Sequence, residues 1–213
     1  MTHPFLITGL PRSRTAWFAA LASQMERAIC YHEPMARLRR WEDSFNVWDH
    51  SPYQFTGLSD SALGFHLPQI LRDYSPNTVM VLRDQREVVA SLAARGVAGE
   101  AYCDVLHRRL MRSIRHPLVM TVGFDELGDA IKAGECLQWL MPGARLDWEK
   151  IEQMCRINVQ AMPEPMLNAA GGADSAAMLG QDVLDEIRAI SCGGAVKSGN
   201  VLATDGGLSC SGL

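Results

Sequence analysis

The chain has 213 residues, of which 47% are hydrophobic and 21% are charged, so it is long enough for one globular domain, or for one domain and an appendage. Its 20 basic and 24 acidic residues give a formal net charge of −4, which argues against a general affinity for nucleic acid. Six scattered cysteines form no CxxC pair and no zinc-like spacing, so we expect reduced thiols.

Neither the N-terminus nor the basic clusters indicate a membrane or nucleic-acid partner. The first residues carry no basic region ahead of their apolar run, and the run is too short for a signal peptide or a membrane span. We therefore expect a cytoplasmic protein. Basic residues cluster at 37–40 and 108–115, and because such runs commonly decorate exposed helices we interpret both as solvated helix faces.

The first predicted element is an apolar strand, Phe5–Thr8, which runs into a Gly/Pro/Arg/Ser/Thr turn and then into a helix that starts near Thr15. An anion is favoured at such a helix start, because the first N–H groups lack partners within the helix and the dipole is positive there. Arg12 and Arg14 add full charges. The loop is not a Walker A motif, since Arg14, Thr15 and Ala16 stand where Gly, Lys and Ser/Thr are required. It therefore indicates phosphate binding by arginine and backbone, without a metal.

The next segments alternate between strand-like and helix-like patterns, which favours an α/β fold with a largely parallel sheet. A short strand is predicted at Ala28–Tyr31, and it ends at His32-Glu33-Pro34. The segment Trp41–Phe55 then places aromatic residues among polar ones. We interpret it as a loop that either faces an acceptor molecule or buries its aromatic residues on the core.

A buried central strand is predicted at Thr78–Leu82. The residues after it form a D-x-x-E capping box, in which Asp84 accepts from the helix start and Glu87 reaches back. Phosphates bind beyond the carboxyl ends of the strands in such a sheet, at the point where the strand order reverses. Arg83 comes directly after this strand, and Arg12 comes shortly after the first strand. We therefore expect two arginine-bearing strand ends to converge on one crevice.

The rest of the chain divides into a continuation of this fold and a distinct tail. A further strand is predicted at Leu118–Val122 and a further helix at Asp147–Val159. Every aromatic residue precedes the tail, in which nearly half of the residues are Gly, Ala or Ser. We predict a nucleotide-binding domain at 1–165 and a weakly packed appendage at 166–213. One short amphipathic helix is predicted in it at Gln181–Ile190, and the remainder is expected to be loop, disordered or ordered only by a partner.

Residues 8–17 read T-G-L-P-R-S-R-T-A-W, which resembles the first motif of the sulfotransferases that use 3′-phosphoadenosine 5′-phosphosulfate (PAPS), T-G-x-P-[RK]-S-G-T-T-W. The resemblance implies a P-loop-like three-layer fold, with a central, mostly parallel sheet flanked by helices. It also implies PAPS as co-substrate, with no metal required. In the family this loop holds the 5′-phosphosulfate, and the tryptophan can stack on adenine. The resemblance implies that this loop binds PAPS through Pro11, Arg12, Ser13, Arg14, Thr15, Ala16 and Trp17.

The run from Arg83 to Ser91 is similar to the second family motif, R-[DN]-P-x-x-x-x-x-S, and keeps its spacing. Gln85 replaces the proline, which is favoured but not required at the first helical position. The resemblance implies that Arg83 and Ser91 bind the 3′-phosphate of PAPS. Geometry independently supports the pairing, because Ser91 lies nearly two helical turns from Asp84 and so on the face that carries the helix start.

Two further segments, His32-Glu33-Pro34 and Phe65-His66-Leu67-Pro68, resemble the H-E-P and T-H-L-P of family members, where the glutamate or the histidine takes the acceptor's proton. Both cannot be the base in one enzyme, and Gly64 stands where the cytosolic type has lysine. The resemblance implies catalytic roles for Glu33, His66 and Arg12, in sulfuryl transfer to a hydroxyl or amine of a small-molecule or carbohydrate acceptor. The alternatives are a non-catalytic descendant that binds a nucleotide or a partner, and a degenerate P-loop kinase or NTPase.

Overall fold

A five-stranded parallel sheet forms the centre of the computed structural model, which describes residues 2–37, 40–156, 182, 183 and 185–187. The strands are β1 (His3–Gly9), β2 (Ala28–His32), β3 (Phe55–Ser59), β4 (Asn77–Leu82) and β5 (Val119–Gly123). Their order is β2-β3-β1-β4-β5, and each neighbouring pair is parallel. The predicted α/β class with a central parallel sheet is confirmed.

Helices connect the strands. The α-helices of the described part are α1 (Thr15–Ala22), α2 (Asn46–His50), α3 (Leu67–Tyr74), α4 (Gln85–Ala93), α5 (Glu100–Met111), α6 (Ala130–Leu140) and α7 (Trp148–Cys155). Short 3₁₀ helices lie at Pro34–Arg37, Trp41–Phe45, Ala62–His66 and Glu126–Gly128. Aspartates begin three of the α-helices by accepting from N–H groups of the first turn, namely Asp84, Asp129 and Asp147.

The sheet is covered on both faces, so the fold has three layers. Alternate residues of β1 point to opposite sides. Phe5 and Ile7 pack with residues of α1, α6 and α7, whereas Leu6 packs with residues of α3, α4 and α5. The helix after β1 therefore lies on one face, and the helices after its neighbours β3 and β4 lie on the other. This arrangement makes the carboxyl end of β1 the topological switch point, where parallel sheets bind ligands.

The four predicted strands are confirmed with small shifts of their ends, but β3 was not predicted. It is a short strand within the sequence FTGLS, which lacks a long apolar run. The prediction that Trp41–Phe55 is a loop is wrong, because this segment contains α2 and its last residue begins β3. Trp48 and Phe55 are buried and only Tyr53 is exposed, so the segment largely buries its aromatic residues on the core.

Part of the predicted C-terminal appendage packs on the domain. In the predicted helix Gln181–Ile190, the described residues 182, 183 and 185–187 are helical, and Val183 is buried. Asp182 and Glu186 each lie 3.0 Å from Nη2 of Arg109. The interpretation of 108–115 as a solvated face is therefore wrong at Arg109, whose side chain is only 16% exposed. The rest of 166–213, residues 157–159 of the predicted last helix and residues 38 and 39 of the first basic cluster lie outside the described residues.

The described residues also bear on the expectations for the cysteines and for membrane-spanning helices. Cys30, Cys103, Cys136 and Cys155 are free thiols, as expected, and the other two cysteines lie outside the described part. Among the described residues, no helix combines the length and the apolar character needed to cross a membrane.

Candidate functional site

The loop after β1 is a tight turn that leads directly into α1. Arg12 and Arg14 both have left-handed backbone, with φ of 65° and 61°. The N–H of Phe18 donates to the Arg14 carbonyl at 2.9 Å and so begins the helical hydrogen bonding. The N–H groups just before Phe18 have no partner within the helix. The loop therefore presents backbone donors at a helix start, which is the arrangement that binds anions.

Two buried polar atoms of this loop have no hydrogen-bond partner among the described residues, Arg12 Nε and Ser13 Oγ. Leaving a buried donor or acceptor unpaired costs about 1–3 kcal/mol, and more for a charged group. An anionic ligand at the loop would supply acceptors to both side chains. These two atoms are the most direct sign of a ligand in the described structure.

The end of β4 meets this loop through Arg83. Its Nη1 donates to the Arg12 carbonyl oxygen at 2.5 Å, and its Nε lies 3.4 Å from Glu87 Oε2. Its guanidinium also lies 4.1 Å from the centre of the Phe124 ring, and the side chain is 13% exposed. The expected convergence of two arginine-bearing strand ends is thus present. Arg83 holds the loop backbone as well as bringing charge to it.

Arg14 turns toward the end of β5. Its guanidinium lies 4.5 Å from the centre of the Phe124 ring, and Nη1 donates to the Phe124 carbonyl at 3.2 Å. Arg14 stands where the motif that this loop resembles has glycine, yet it has the left-handed backbone that glycine would adopt easily. The contacts with Phe124 offset part of the strain. Phe124 was not singled out from the sequence, in which only its place directly after a strand distinguishes it.

Positive charge is concentrated around Arg12. Burial lowers the pKa of Arg12 from its ordinary value, and the charges of Arg95 and then Arg83 lower it further. Arg95 follows α4 and is exposed. It was not singled out from the sequence, because nothing there distinguishes it from the other arginines. An anion bound here would relieve the mutual repulsion of these three arginines.

Trp17 does not lie in the crevice. It is 4% exposed, its Nε1 donates to the Met154 carbonyl at 2.9 Å, and it packs in the core under α7. In this structure its ring has no free face on which adenine could stack. The prediction of a nucleotide contact by Trp17 is corrected to a structural role.

The remaining predicted nucleotide contacts lie at or near the loop. Thr15 begins α1, and its carbonyl accepts a hydrogen bond from Ser59 Oγ at 2.9 Å. Pro11 and Ala16 are partly buried on either side of the turn. Ser91 is partly exposed on α4, and its contact with a 3′-phosphate stays a prediction.

The predicted capping box at α4 forms on one side. Asp84 Oδ1 accepts from the N–H groups of Arg86 and Glu87, at 2.8 and 3.2 Å. The carboxylate of Glu87 contacts Arg83 instead of reaching back to the cap. The helix start is therefore fixed by Asp84, and Glu87 is diverted to the arginine at the site.

The two candidate bases lie on segments that follow neighbouring strands, β2 and β3. Glu33 has φ of 50°, its N–H donates to the Ser59 carbonyl at 2.8 Å, and its side chain is 63% exposed. Glu33 Oε1 is 3.8 Å from His32 Nε2. His66 stacks on Trp41, with ring centres 4.4 Å apart and planes 1° from parallel. The exposed carboxylate is the more accessible of the two groups to an acceptor.

Gly64 is a packing position. A Cβ there would lie 2.8 Å from Leu106 Cδ1 and 2.9 Å from Leu110 Cδ2, so these two leucine side chains of α5 would have to shift to admit one. A lysine at this position, as in the cytosolic sulfotransferases, would displace both leucines from their observed positions.

Asp60, directly after β3, is a buried carboxyl group that sequence reasoning missed. It is 4% exposed, and burial raises its pKa to about 7. Its position after β3 was not apparent, because that strand was itself not predicted. A buried group with a strongly perturbed pKa beside an anion site is a candidate functional residue.

No protein-family model matches this chain, and no curated protein matches its sequence at a significant level. Within the described ranges, no group of three or more His, Cys, Asp or Glu side chains has the arrangement of a metal site.

Proposed function

We propose that the chain is a PAPS-dependent sulfotransferase that transfers the sulfuryl group to a hydroxyl or amine of a small-molecule or carbohydrate acceptor. The observation that carries the proposal is the loop after β1, with its two unpartnered buried atoms and the contact from Arg83 to the Arg12 carbonyl. That pairing joins the two segments that resemble the sulfotransferase motifs. The loop lacks the lysine and the hydroxyl residue with which a Walker A motif serves ATP and Mg²⁺.

The chain's residues fit the phosphate groups of PAPS. Arg12 and the N–H groups at the start of α1 would hold the 5′-phosphosulfate, with Ser13 Oγ as a further donor. Arg83 and Ser91 would hold the 3′-phosphate. Negative charge grows on the 5′-phosphate as its bond to sulfur breaks, and Arg12 and the loop N–H groups would stabilise that charge.

On the acceptor side, Glu33 or His66 would take the proton. The acceptor oxygen or nitrogen forms a new bond to sulfur, and the bond between sulfur and the bridging phosphate oxygen breaks, with its electron pair staying on the phosphate. The acceptor's proton moves to the base. General base catalysis of this kind contributes about 10²- to 10⁴-fold in rate. The exposure of the Glu33 carboxylate favours it over His66, whose ring stacks on Trp41.

A non-catalytic nucleotide-binding protein is the second candidate. One observation favours it: Gly64 packs against Leu106 and Leu110 at the position where the cytosolic sulfotransferases carry a lysine, two residues before the candidate base His66. The absence of this lysine leaves the anion loop intact, so this candidate predicts nucleotide binding without sulfuryl transfer.

A thermal-shift series followed by a turnover assay tests the proposal. Separate samples receive 3′-phosphoadenosine 5′-phosphate, adenosine 5′-phosphate, or ATP with Mg²⁺. Because a ligand that binds only the folded state raises Tm, we expect the largest shift with 3′-phosphoadenosine 5′-phosphate. Arg12→Ala should abolish that shift, whereas Arg72→Ala, which changes an exposed arginine paired with Asp73 on α3, should keep it.

The three possible functions give different results. Release of 3′-phosphoadenosine 5′-phosphate from PAPS with an acceptor library supports the sulfotransferase. A shift without any turnover supports the non-catalytic protein. A shift that requires ATP and Mg²⁺ contradicts both and supports a degenerate kinase or NTPase.

A further inference from the structure

Asp60 is fixed to the end of β1, immediately before the phosphate-binding loop. Its N–H donates to the Ile7 carbonyl at 3.1 Å, and its carbonyl accepts from the Thr8 hydroxyl at 3.0 Å. The residue is 4% exposed. Its backbone is therefore part of the same rigid strand ends that place Arg12 and Arg83.

The carboxylate of Asp60 joins two other segments. Oδ2 accepts from the Met35 N–H at 3.1 Å, and Oδ1 accepts from the Ala62 N–H at 2.8 Å. Met35 lies two residues after Glu33, and Ala62 begins the 3₁₀ helix that ends at His66. One buried side chain thus holds both segments that carry a candidate base.

Glu33 has a backbone conformation that needs such support. Its φ of 50° is unfavourable for a residue with a Cβ and persists only where the surroundings fix it. The Ser59 carbonyl accepts the Glu33 N–H on one side, and Asp60 accepts the Met35 N–H on the other. The end of β3 therefore holds the chain on both sides of Glu33.

Asp60 also interacts electrostatically with groups around it. Burial raises its pKa, its two backbone hydrogen bonds act in the opposite direction, and the charge of Glu33 adds to the rise. Burial raises the pKa of Tyr102 on α5, and the charge of Asp60 contributes to the same rise. The Asp60 carboxyl is thus coupled to Glu33 through both the backbone and the electric field.

We propose that Asp60 is a positioning residue for Glu33. Its carboxylate fixes the chain after Glu33 through the Met35 N–H, and in this way holds Glu33 at the carboxyl end of β2. Asp60 itself does not contact the acceptor and acts through Glu33. The catalytic meaning of this contact rests on the proposed function, whereas the contact itself does not.

Amide hydrogen exchange in the full chain tests the contact without any assay of activity. Asp60→Asn replaces one acceptor oxygen by an N–H₂ group that faces a donor. Because one acceptor oxygen remains for two donors, we expect exchange at the Met35 amide, the Ala62 amide or both to rise about tenfold or more. The matched control is Asp129→Asn, because Asp129 also accepts two backbone N–H groups but caps the distant helix α6. It should leave both amides unchanged, and unchanged protection in Asp60→Asn would overturn the proposal.

Kinetics then tests whether Asp60 acts through Glu33. Asp60→Asn should lower kcat while the KM for PAPS changes little, because the donor is held by the arginines. Glu33→Gln combined with Asp60→Asn should be no slower than Glu33→Gln alone, since residues that act as one unit are not additive. Losses that multiply would contradict the proposal. If no variant or parent transfers sulfuryl groups, the proposed function fails while the exchange result still decides the contact.

The parent protein provides a test if Asp60→Asn does not fold. The Met35 and Ala62 amide shifts should titrate together with one common inflection near neutral pH, because both N–H groups donate to the Asp60 carboxyl group, whose pKa burial raises to about 7. Independent titration of the two amides would overturn the proposal.

Discussion

Arg12 combines several of the energetic features of the candidate site. Its backbone carbonyl accepts from Arg83, its Nε is buried without a partner, and its φ is positive. Repulsion from Arg95 and Arg83 adds to the cost of its burial. The hydrogen bond from Arg83 is favourable, whereas the other features are unfavourable in isolation, and an anion in the crevice would offset all of those but the backbone strain. Strain and unpaired polar atoms at a strand end are expected where a protein binds a ligand.

Arg83 should contribute strongly to nucleotide binding. Arg83→Ala removes charge-assisted hydrogen bonds worth about 1.5–3 kcal/mol, so affinity for 3′-phosphoadenosine 5′-phosphate should fall roughly 10- to 100-fold. Calorimetry checks the change, with Arg72→Ala as the control of equal charge. Unchanged affinity would remove Arg83 from the site and leave it only the role of supporting the loop.

Arg14 should be better replaced by glycine than by alanine. Both variants lose the contacts with Phe124, but alanine keeps the left-handed strain of about 1–2 kcal/mol, which glycine avoids. Glycine's greater freedom in the unfolded chain then cancels part of this advantage. Arg14→Gly should therefore exceed Arg14→Ala in unfolding free energy by about 0.5–1 kcal/mol in urea. At the exposed helical position 20 the order should reverse, with Ala20→Gly less stable than the parent by about 1 kcal/mol. The same order at both positions would show that residue 14 is not left-handed in solution.

At the scale of the elements, the packing of the 3₁₀ helix Ala62–His66 against α5 explains how this chain departs from the motif it resembles. Gly64 allows Leu106 and Leu110 to approach the sheet closely. His66 then stacks on Trp41. Close packing on one side and stacking on the other fix the His66 ring. Of the two candidate bases, Glu33 is therefore the one with an exposed side chain.

Gly64→Ala should be destabilising by about 1–3 kcal/mol, because an added methyl group overpacks the contact with α5. Gly128→Ala is the comparison, since a Cβ there would be 3.5 Å from Arg14 Nη1 in ordinary contact, and it should change stability by less than about 0.5 kcal/mol. Chemical denaturation measures both. Leu110→Ala has its own cost of about 2–5 kcal/mol, but the double variant with Gly64→Ala should lose less stability than the sum of the two single variants. A purely additive double variant would contradict the packing explanation.

The elements also show what could be predicted from the sequence. The strand before Gly9 and the strand before Arg83 were predictable, because each is an apolar run that ends in turn or capping residues. Strand β3 was not, because it is short and contains Gly57, which Phe5 of the neighbouring strand requires to be free of a side chain. Asp60 was missed with it. The burial of Trp17 depends on α7, which is distant in sequence and contributes the Met154 carbonyl.

At the scale of the whole molecule, charge is divided along the carboxyl edge of the sheet. Arginines gather at the ends of β1 and β4, and the carboxyl groups of Glu33 and Asp60 lie at the ends of β2 and β3. The net charge of −4 conceals this division. It suits a reaction in which an anionic donor is held on one side and a proton is taken up on the other.

Asp60 should impose a pH dependence on the stability of the whole fold. Burial raises its pKa from 3.8 to about 7, so the folded state binds more protons than the unfolded state between these values. The stabilisation is complete below the unfolded pKa and is lost as pH rises through about 7. Burial lowers the pKa values of His3 and His32, which act in the opposite sense because their stabilisation is lost as pH falls below 6.5.

The contribution of Asp60 is isolated by comparing the parent with Asp60→Asn in urea at a series of pH values. From pH 5 to pH 8 the parent should lose about 2–3 kcal/mol of unfolding free energy relative to the variant. The histidines remain in both proteins and cancel in the difference, while the constant cost of the new amide shifts the difference without changing its slope. A difference that is flat across this range would show that the Asp60 carboxyl titrates well below neutral pH, and that its two backbone hydrogen bonds outweigh its burial.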